Sequence, residues 1–203
     1  MNNEHISYTP GTSNAPVIML HGTGGDENDL LPIANVLFPE QPKIGIRGRL
    51  MEQGLTRYFA HHPDGSFDQT SLENETQWLL ATIAEVIETY QLDDESVTVL
   101  GYSNGANMAL YAALTGRTFF KTAILLHPML VSDDFSDDIA DDVNLWASYG
   151  DNDPIVTPDN FATLVSEADK RYFNLSTFKS NMGHAITKEE ILDAAQWLHV
   201  QQS

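Results

Sequence analysis

Short apolar runs of strand length recur along this chain at Val17–Leu20, Ile44–Ile46, Val97–Leu100, Ala123–Leu126, Leu145–Tyr149 and Leu175–Phe178. Between them the apolar spacing changes. Leu72, Thr76, Leu79, Leu80, Ile83, Ile87 and Tyr90 recur with a period of about 3.6, which puts them on one face of a helix ending before Asp93-Asp94. Thr70-Ser71-Leu72-Glu73 has capping-box spacing and predicts the start of that helix. Thr157-Pro158 joins an N-cap residue to a proline at the first helical position, ahead of Phe161, Leu164 and Val165. Thr187-Lys188-Glu189-Glu190 is a second capping box, opening a last helix through Ile191, Leu192, Ala195 and Leu198. Continuously apolar strands alternating with amphipathic helices predict an α/β fold whose mainly parallel sheet is covered on both faces. One stretch breaks the alternation. Residues 47–69 hold Gly48, Gly54, Pro63 and Gly65 among Tyr58, Phe59 and Phe67 without a clear period. They read either as a functional loop overhanging the edge of the sheet or as a packed surface loop.

Composition narrows this picture. The chain has 203 residues, of which 42% are hydrophobic, enough for one well-cored domain spanning residues 1–203 and too few for two. Internal repeats and low-complexity linkers are absent, and no apolar run approaches the length of a membrane span. Met1-Asn2-Asn3-Glu4-His5 lacks the basic start and apolar centre of a secretory signal. The chain has no cysteine, which excludes disulfides, thiolate catalysis and cysteine metal sites, and fits a cytoplasmic location. Ten Lys and Arg stand against 29 Asp and Glu, a formal net charge of −19. Such a surface repels nucleic acid and anionic membranes, and it disfavours strongly anionic substrates. Three Asp pairs (Asp133-Asp134, Asp137-Asp138, Asp141-Asp142) lack the spacing of a calcium loop and read as a solvated connection.

Candidate chemistry begins at Gly101-Tyr102-Ser103-Asn104-Gly105, which follows the Val97–Leu100 run and leads into Ala106-Asn107-Met108-Ala109-Leu110. Strand, G-x-S-x-G, then helix is the setting in which the motif presents a nucleophilic serine on a strained turn, above the unpaired N–H groups of a helix start. A serine needs a base, and the base needs an orienting acid, in the chain order Ser, Asp or Glu, His. Two later loops supply them. Of Asp151 and Asp153 in Gly150-Asp151-Asn152-Asp153-Pro154, Asp153 is preferred as the acid, because the following proline biases it to an extended conformation that projects its side chain. His184 in Met182-Gly183-His184-Ala185 is preferred as the base over His127, His61 and His62. His127 ends a central strand but precedes the acid in the chain. His61-His62-Pro63-Asp64 is a surface loop rather than a metal site, since adjacent histidines rarely face one ion. In Leu20-His21-Gly22-Thr23-Gly24-Gly25-Asp26 the Thr23 N–H is one candidate oxyanion donor, with the Asn104 N–H as the other, and His21 is read as holding the loop. No cofactor motif is present, and the site as read needs no metal.

Taken with His127-Pro128-Met129 and Ile155-Val156, these segments closely resemble the phospholipase/carboxylesterase branch of the α/β-hydrolases, which includes small bacterial carboxylesterases and acyl-protein thioesterases. Arg47-Gly48 and Arg57-Tyr58-Phe59 are similar to a subgroup linked to quinone or hydroquinone stress. The resemblance spans nearly the whole chain. It implies a compact α/β-hydrolase fold without a large cap, with Ser103 as nucleophile, His184 as base and Asp153 as acid. Gly22, Arg57, Met129 and Ile155 are the expected pocket residues. The resemblance implies hydrolysis through an acyl-enzyme without fixing the substrate; the short chain, with no room for a large cap, and the charge of −19 point to small neutral carboxylic esters with short acyl chains. A thioesterase or a lysophospholipase is the alternative within the class, and a non-catalytic ligand-binding protein the alternative outside it. Oligomeric state is not readable from these motifs.

Overall fold

The computed structural model describes residues 3–135 and 142–201. Seven strands form one sheet in the order β1 (Ile6–Thr9), β3 (Lys43–Ile46), β2 (Val17–Leu20), β6 (Thr98–Tyr102), β7 (Thr122–Leu126), β8 (Asn144–Gly150) and β9 (Asn174–Ser180). All neighbours pair in parallel except β1, which runs antiparallel to β3 with Ile6 opposite Ile46. All six apolar runs are strands. β1 carries no such signal, because its residues are half-buried on an edge.

Burial on both faces explains why the central strands are apolar throughout. Ile18, Leu20, Val99, Ala123, Leu125, Leu145 and Ala147 face α2 (Gln69–Tyr90), α3 (Asn104–Leu114) and α4 (Pro158–Lys170). Val17, Met19, Leu100, Ile124, Leu126 and Trp146 face α1 (Leu31–Leu37) and α5 (Lys188–Gln201). On α2, Leu72, Leu79, Ile83 and Val86 are fully buried, at about 1.5–3 kcal/mol of hydrophobic stabilisation each. The result is a compact α/β fold with helices on both faces and, among the described residues, no large cap. No helix among them is long and apolar enough to cross a membrane.

Local signals set most helix ends. Thr157 caps α4 by accepting from the Asn160 N–H, with Pro158 in the first turn. In the Thr187 capping box the Glu190 N–H donates to Thr187 Oγ1 while Glu190 Oε2 accepts from the Thr187 N–H. α2 departs from expectation. Its cap is Asp68, which accepts from the Ser71 N–H, so the helix starts before Thr70. Glu73 is drawn instead to Arg117, 2.7 Å away, and so cannot close a box on Thr70.

Residues 47–69 correct the loop expectation. They contain a hairpin of β4 (Leu50–Glu52) and β5 (Leu55–Arg57), turned at Gln53 and Gly54 with φ of 52° and 81°. Two positive φ angles are what a two-residue turn between twisted strands requires. Tyr58 and Phe59 behind it are fully buried. The hairpin does lie at the sheet's carboxyl edge: the Gly24 N–H donates to the Thr56 carbonyl at 2.8 Å. Of the acidic connection, Asp137, Asp138 and Asp141 lie outside the described residues.

Candidate active site

Ser103 sits between β6 and α3 with φ 47° and ψ −112°, a strained conformation for a residue with a side chain. The turn closes because Gly105 has no Cβ. A Cβ there would lie 2.2 Å from the Leu20 carbonyl oxygen, so a larger residue would force α3 away from β2. The Ser103 N–H donates to the Leu126 carbonyl at 2.9 Å, and the Asn107 N–H bonds back to the Ser103 carbonyl at 2.8 Å. The hydroxyl is thus presented by backbone on both sides.

His184 comes from the loop between β9 and α5. Its Nε2 lies 2.8 Å from Ser103 Oγ, and its Nδ1 lies 2.6 Å from Asp153 Oδ2. Asp153 is the residue that reaches the histidine. Its side chain is fully buried, and its second oxygen accepts the N–H groups of Ile155 and Val156 at 2.8 and 3.0 Å. Asp151 points away and pairs with Lys179 at the surface, at 2.8 Å. Burial alone would raise the Asp153 carboxyl, but the hydrogen bond from His184 and those from the two backbone N–H groups outweigh it and hold it below the usual carboxylate range. A buried anion facing Nδ1 fixes the histidine so that Nε2 is turned to the serine.

Side chains outside the triad set its frame. His21 is buried, and burial lowers its pKa. Its Nδ1 donates to the Gly22 carbonyl and its Nε2 accepts from the Gly48 N–H, so it is neutral and ties the glycine loop to β3's exit. Tyr58 accepts from the His21 N–H through its hydroxyl, and its own N–H donates to Asn104 Oδ1. The Tyr102 hydroxyl donates to the His184 carbonyl at 2.6 Å. Burial keeps that phenol protonated, with the charges of Asp153 and Glu190 acting the same way. A Cβ on Gly22 would come within 2.7 Å of the Tyr102 ring, so this glycine lets the ring lie against the loop.

A Ser–His–Asp chain with unbroken hydrogen bonds, its serine on a strained turn at the carboxyl edge of a seven-stranded, mostly parallel sheet, is the arrangement of a serine hydrolase. Residues 1–202 match the model of the Phospholipase/Carboxylesterase family.

The chain belongs to that family.

Within it, the chain is similar to the Bacillus subtilis protein named "Putative hydrolase MhqD", at 32% identity over 194 residues and 96% of each chain. Among solved structures it resembles that of YahD with malic acid, at 37% identity with a TM-score of 0.91 over 96% of this chain and 98% of that one. It also resembles a carboxylesterase of Bacillus cereus, at 29% identity and a TM-score of 0.93 over 98% and 95%. The protein is accordingly a serine hydrolase of the α/β-hydrolase superfamily.

The remaining residues singled out from the sequence make contacts of their own. Arg57 pairs with Glu52 at 2.9 Å and reaches Thr23 Oγ1 at 3.3 Å. Met129 is half-buried, its N–H held by Asn107 Oδ1, and Ile155 is 53% exposed beside Asp153. Gly22 and Thr23 border a hollow of about 240 Å³ together with Leu30, Ile33, Tyr102 and Ile186. His61 bonds Glu52 on the hairpin. Donor atoms of His127, Asp153 and His184 lie within 4.8 Å of one another, but the Asp153 oxygens already receive N–H donors from His184, His127, Ile155 and Val156. The cluster is closed by its own hydrogen bonds. Sequence reasoning missed Tyr102, Tyr58 and Asn107. It placed Glu190 in a capping box without its second contact, to His127.

Proposed function

We propose that the protein hydrolyses small, neutral carboxylic esters through an acyl-enzyme on Ser103. The observation that carries this reading is the continuous contact from Ser103 Oγ to His184 Nε2 at 2.8 Å, and from His184 Nδ1 to Asp153 at 2.6 Å. His184 takes the serine proton as Oγ bonds to the ester carbonyl carbon, and the carbonyl electrons move onto oxygen. The N–H groups of Thr23 and Asn104 are suited to hold that oxyanion. Neighbouring donors in the same turns are committed: Gly24 to the Thr56 carbonyl, Gly25 to that of Gly22 and Gly105 to that of His21. Each oxyanion donor in such sites contributes about 2.7–4 kcal/mol to the transition state. The carbonyl re-forms, the ester C–O bond breaks, and His184 protonates the departing alcohol. Water then adds to the acyl-enzyme with His184 as base, releasing the acid and restoring Ser103. Asp153 stays ionised throughout.

Short acyl groups suit the hollow beside Thr23, and a net charge of −19 disfavours anionic substrates. Gly22, Arg57, Met129 and Ile155 complete the mouth in this reading, with Arg57 offset by Glu52. We place the chain with the small bacterial carboxylesterases of the hydroquinone-stress subgroup, on Arg47-Gly48, Arg57-Tyr58-Phe59 and the likeness to MhqD. The test is kcat/KM for p-nitrophenyl esters from acetate to palmitate beside an anionic lysophospholipid, with fluorophosphonate labelling of Ser103. We expect a maximum at short chains. A steady rise toward palmitate, or preference for the lipid, replaces this reading with a lysophospholipase, and preference for acyl thioesters replaces it with a thioesterase. No labelling and no turnover would favour a ligand-binding protein.

A further inference from the structure

His127 follows β7 directly and has no part in the reaction just described, yet it is held on every side. Its φ is 51°, in the left-handed region, and its side chain is wholly buried. Its N–H donates to Ser148 Oγ at 3.2 Å, inside the core. Its ring lies between two buried carboxylates. Nδ1 is 3.1 Å from Asp153 Oδ2, the oxygen that also receives His184, and Nε2 is 3.1 Å from Glu190 Oε1. The second approach is close but off the N–H axis, an ionic contact rather than an aligned hydrogen bond.

Each ring nitrogen lies 3.1 Å from a carboxylate oxygen, and a neutral imidazole has an N–H on only one of them. A single-tautomer ring would turn a lone pair toward one of the anions. Burial would lower the His127 pKa, but the close Glu190 carboxylate, joined by the hydrogen bond and charge of Asp153, outweighs it and raises it above the ordinary value. Geometry and the raised pKa both favour the doubly protonated ring between the two carboxyl groups. That satisfies the rule that buried charges must be paired. The other groups facing it are the His184 ring, with centroids 5.1 Å apart, and the edge of the Tyr102 ring at 6.2 Å.

The contacts form a closed circuit. His184 meets Asp153, Asp153 meets His127, and His127 meets Glu190. Glu190 Oε2 accepts the Thr187 N–H at 2.7 Å, and Thr187 lies three residues after His184 on the same loop. We propose that His127 and Glu190 are positioning residues of the triad: His127 holds the Asp153 carboxylate against His184, and Glu190 ties the loop bearing His184 back to His127. The proposal rests on the acyl-enzyme reading.

The test is the pH dependence of ester hydrolysis by His127→Gln, with Ser103→Ala assayed beside it. We expect kcat to fall between about tenfold and a hundredfold, the scale of a small misplacement of the base, with KM within about twofold. We also expect the acid limb of kcat/KM to move up by about one pH unit, because His184 loses the cation 5.1 Å away. A fall in kcat with an unmoved acid limb assigns His127 to packing alone and overturns the proposal. If His127→Gln does not fold, two measurements replace it. Nitrogen NMR of the histidine rings in the unmodified protein should show both His127 nitrogens protonated at neutral pH, and a single neutral tautomer overturns the proposal. Glu190→Gln should lower kcat severalfold, and unchanged kcat overturns it. Turnover by Ser103→Ala would sink the acyl-enzyme reading itself. An inactive Ser103→Ala beside a His127→Gln of unaltered profile would sink only the role given to His127.

Discussion

The two halves of the active site are built by different physics. On the nucleophile side, Ser103 and the glycine loop are held by main-chain hydrogen bonds, by close backbone approach at Gly105, and by the neutral groups His21 and Tyr58. On the acid–base side, His184 is held by the buried Asp153 carboxylate, behind which lie the buried titratable side chains of His127 and Glu190. Backbone geometry is insensitive to pH and tolerates little change of side-chain volume. A buried ion cluster tolerates isosteric exchange sterically but responds to every change of charge. One half should therefore break through shape and the other through charge.

Ser103→Ala removes the group on which both halves converge and should lower turnover about a millionfold while leaving the fold intact. Thermal denaturation and fluorophosphonate labelling check the two parts of that statement. Asp153→Asn changes charge without volume, and should cost about ten-thousandfold in kcat because the tautomer of His184 is no longer fixed. Asp151→Asn, which loses only the exposed pair with Lys179, should leave kcat within about twofold. Reversal of that order would move the acid to Asp151. Gly105→Ala tests the other half. Its added methyl meets the Leu20 carbonyl and should cost about 1–3 kcal/mol in denaturant unfolding, with the acid limb of the pH profile where it was. A moved limb there would show that the halves are not separable.

Stability against pH sharpens the contrast further. Asp153 is held below its unfolded value of about 3.9, so its contribution is complete above that value and lost as pH falls through its folded value. His127 is held above its unfolded value of about 6.5. Its contribution is complete below that value and lost as pH rises through its folded value. The gap in Tm between the unmodified protein and His127→Gln should therefore narrow as pH rises beyond neutrality, and a gap flat in pH contradicts it. The smallest effect is expected from chelation: EDTA should leave ester hydrolysis unchanged, since serine, histidine and aspartate perform each step. Activity lost in EDTA and restored by one divalent ion would redirect attention to the donors of His127, Asp153 and His184.

Local chemistry along the chain determined a good deal by itself. Strands buried on both faces must be apolar throughout, so β2, β3, β6, β7, β8 and β9 are each visible as a run. Caps are made within three residues, so Thr157 and Thr187 could be read from their spacing. The elbow at Ser103, and the loops carrying Asp153 and His184, follow strands that the pattern had already located. Tertiary structure decided what lies between distant segments. Arg117 drew Glu73 away and left Asp68 to cap α2, across 44 residues of chain. β1 is an edge strand whose partner β3, not its own composition, makes it a strand. The hairpin at Gln53-Gly54 lies in a stretch without a clear period, and only its bonds to Thr23, Gly24 and Gly25 place it over the site. His127 and Glu190 lie on β7's exit and α5, 63 positions apart, and no local pattern marks a pair of that kind. Periodicity and capping report the few residues nearest in sequence. The charge that a buried imidazole carries depends on which acceptors the fold brings to its two nitrogens, and that is settled only when the chain has packed.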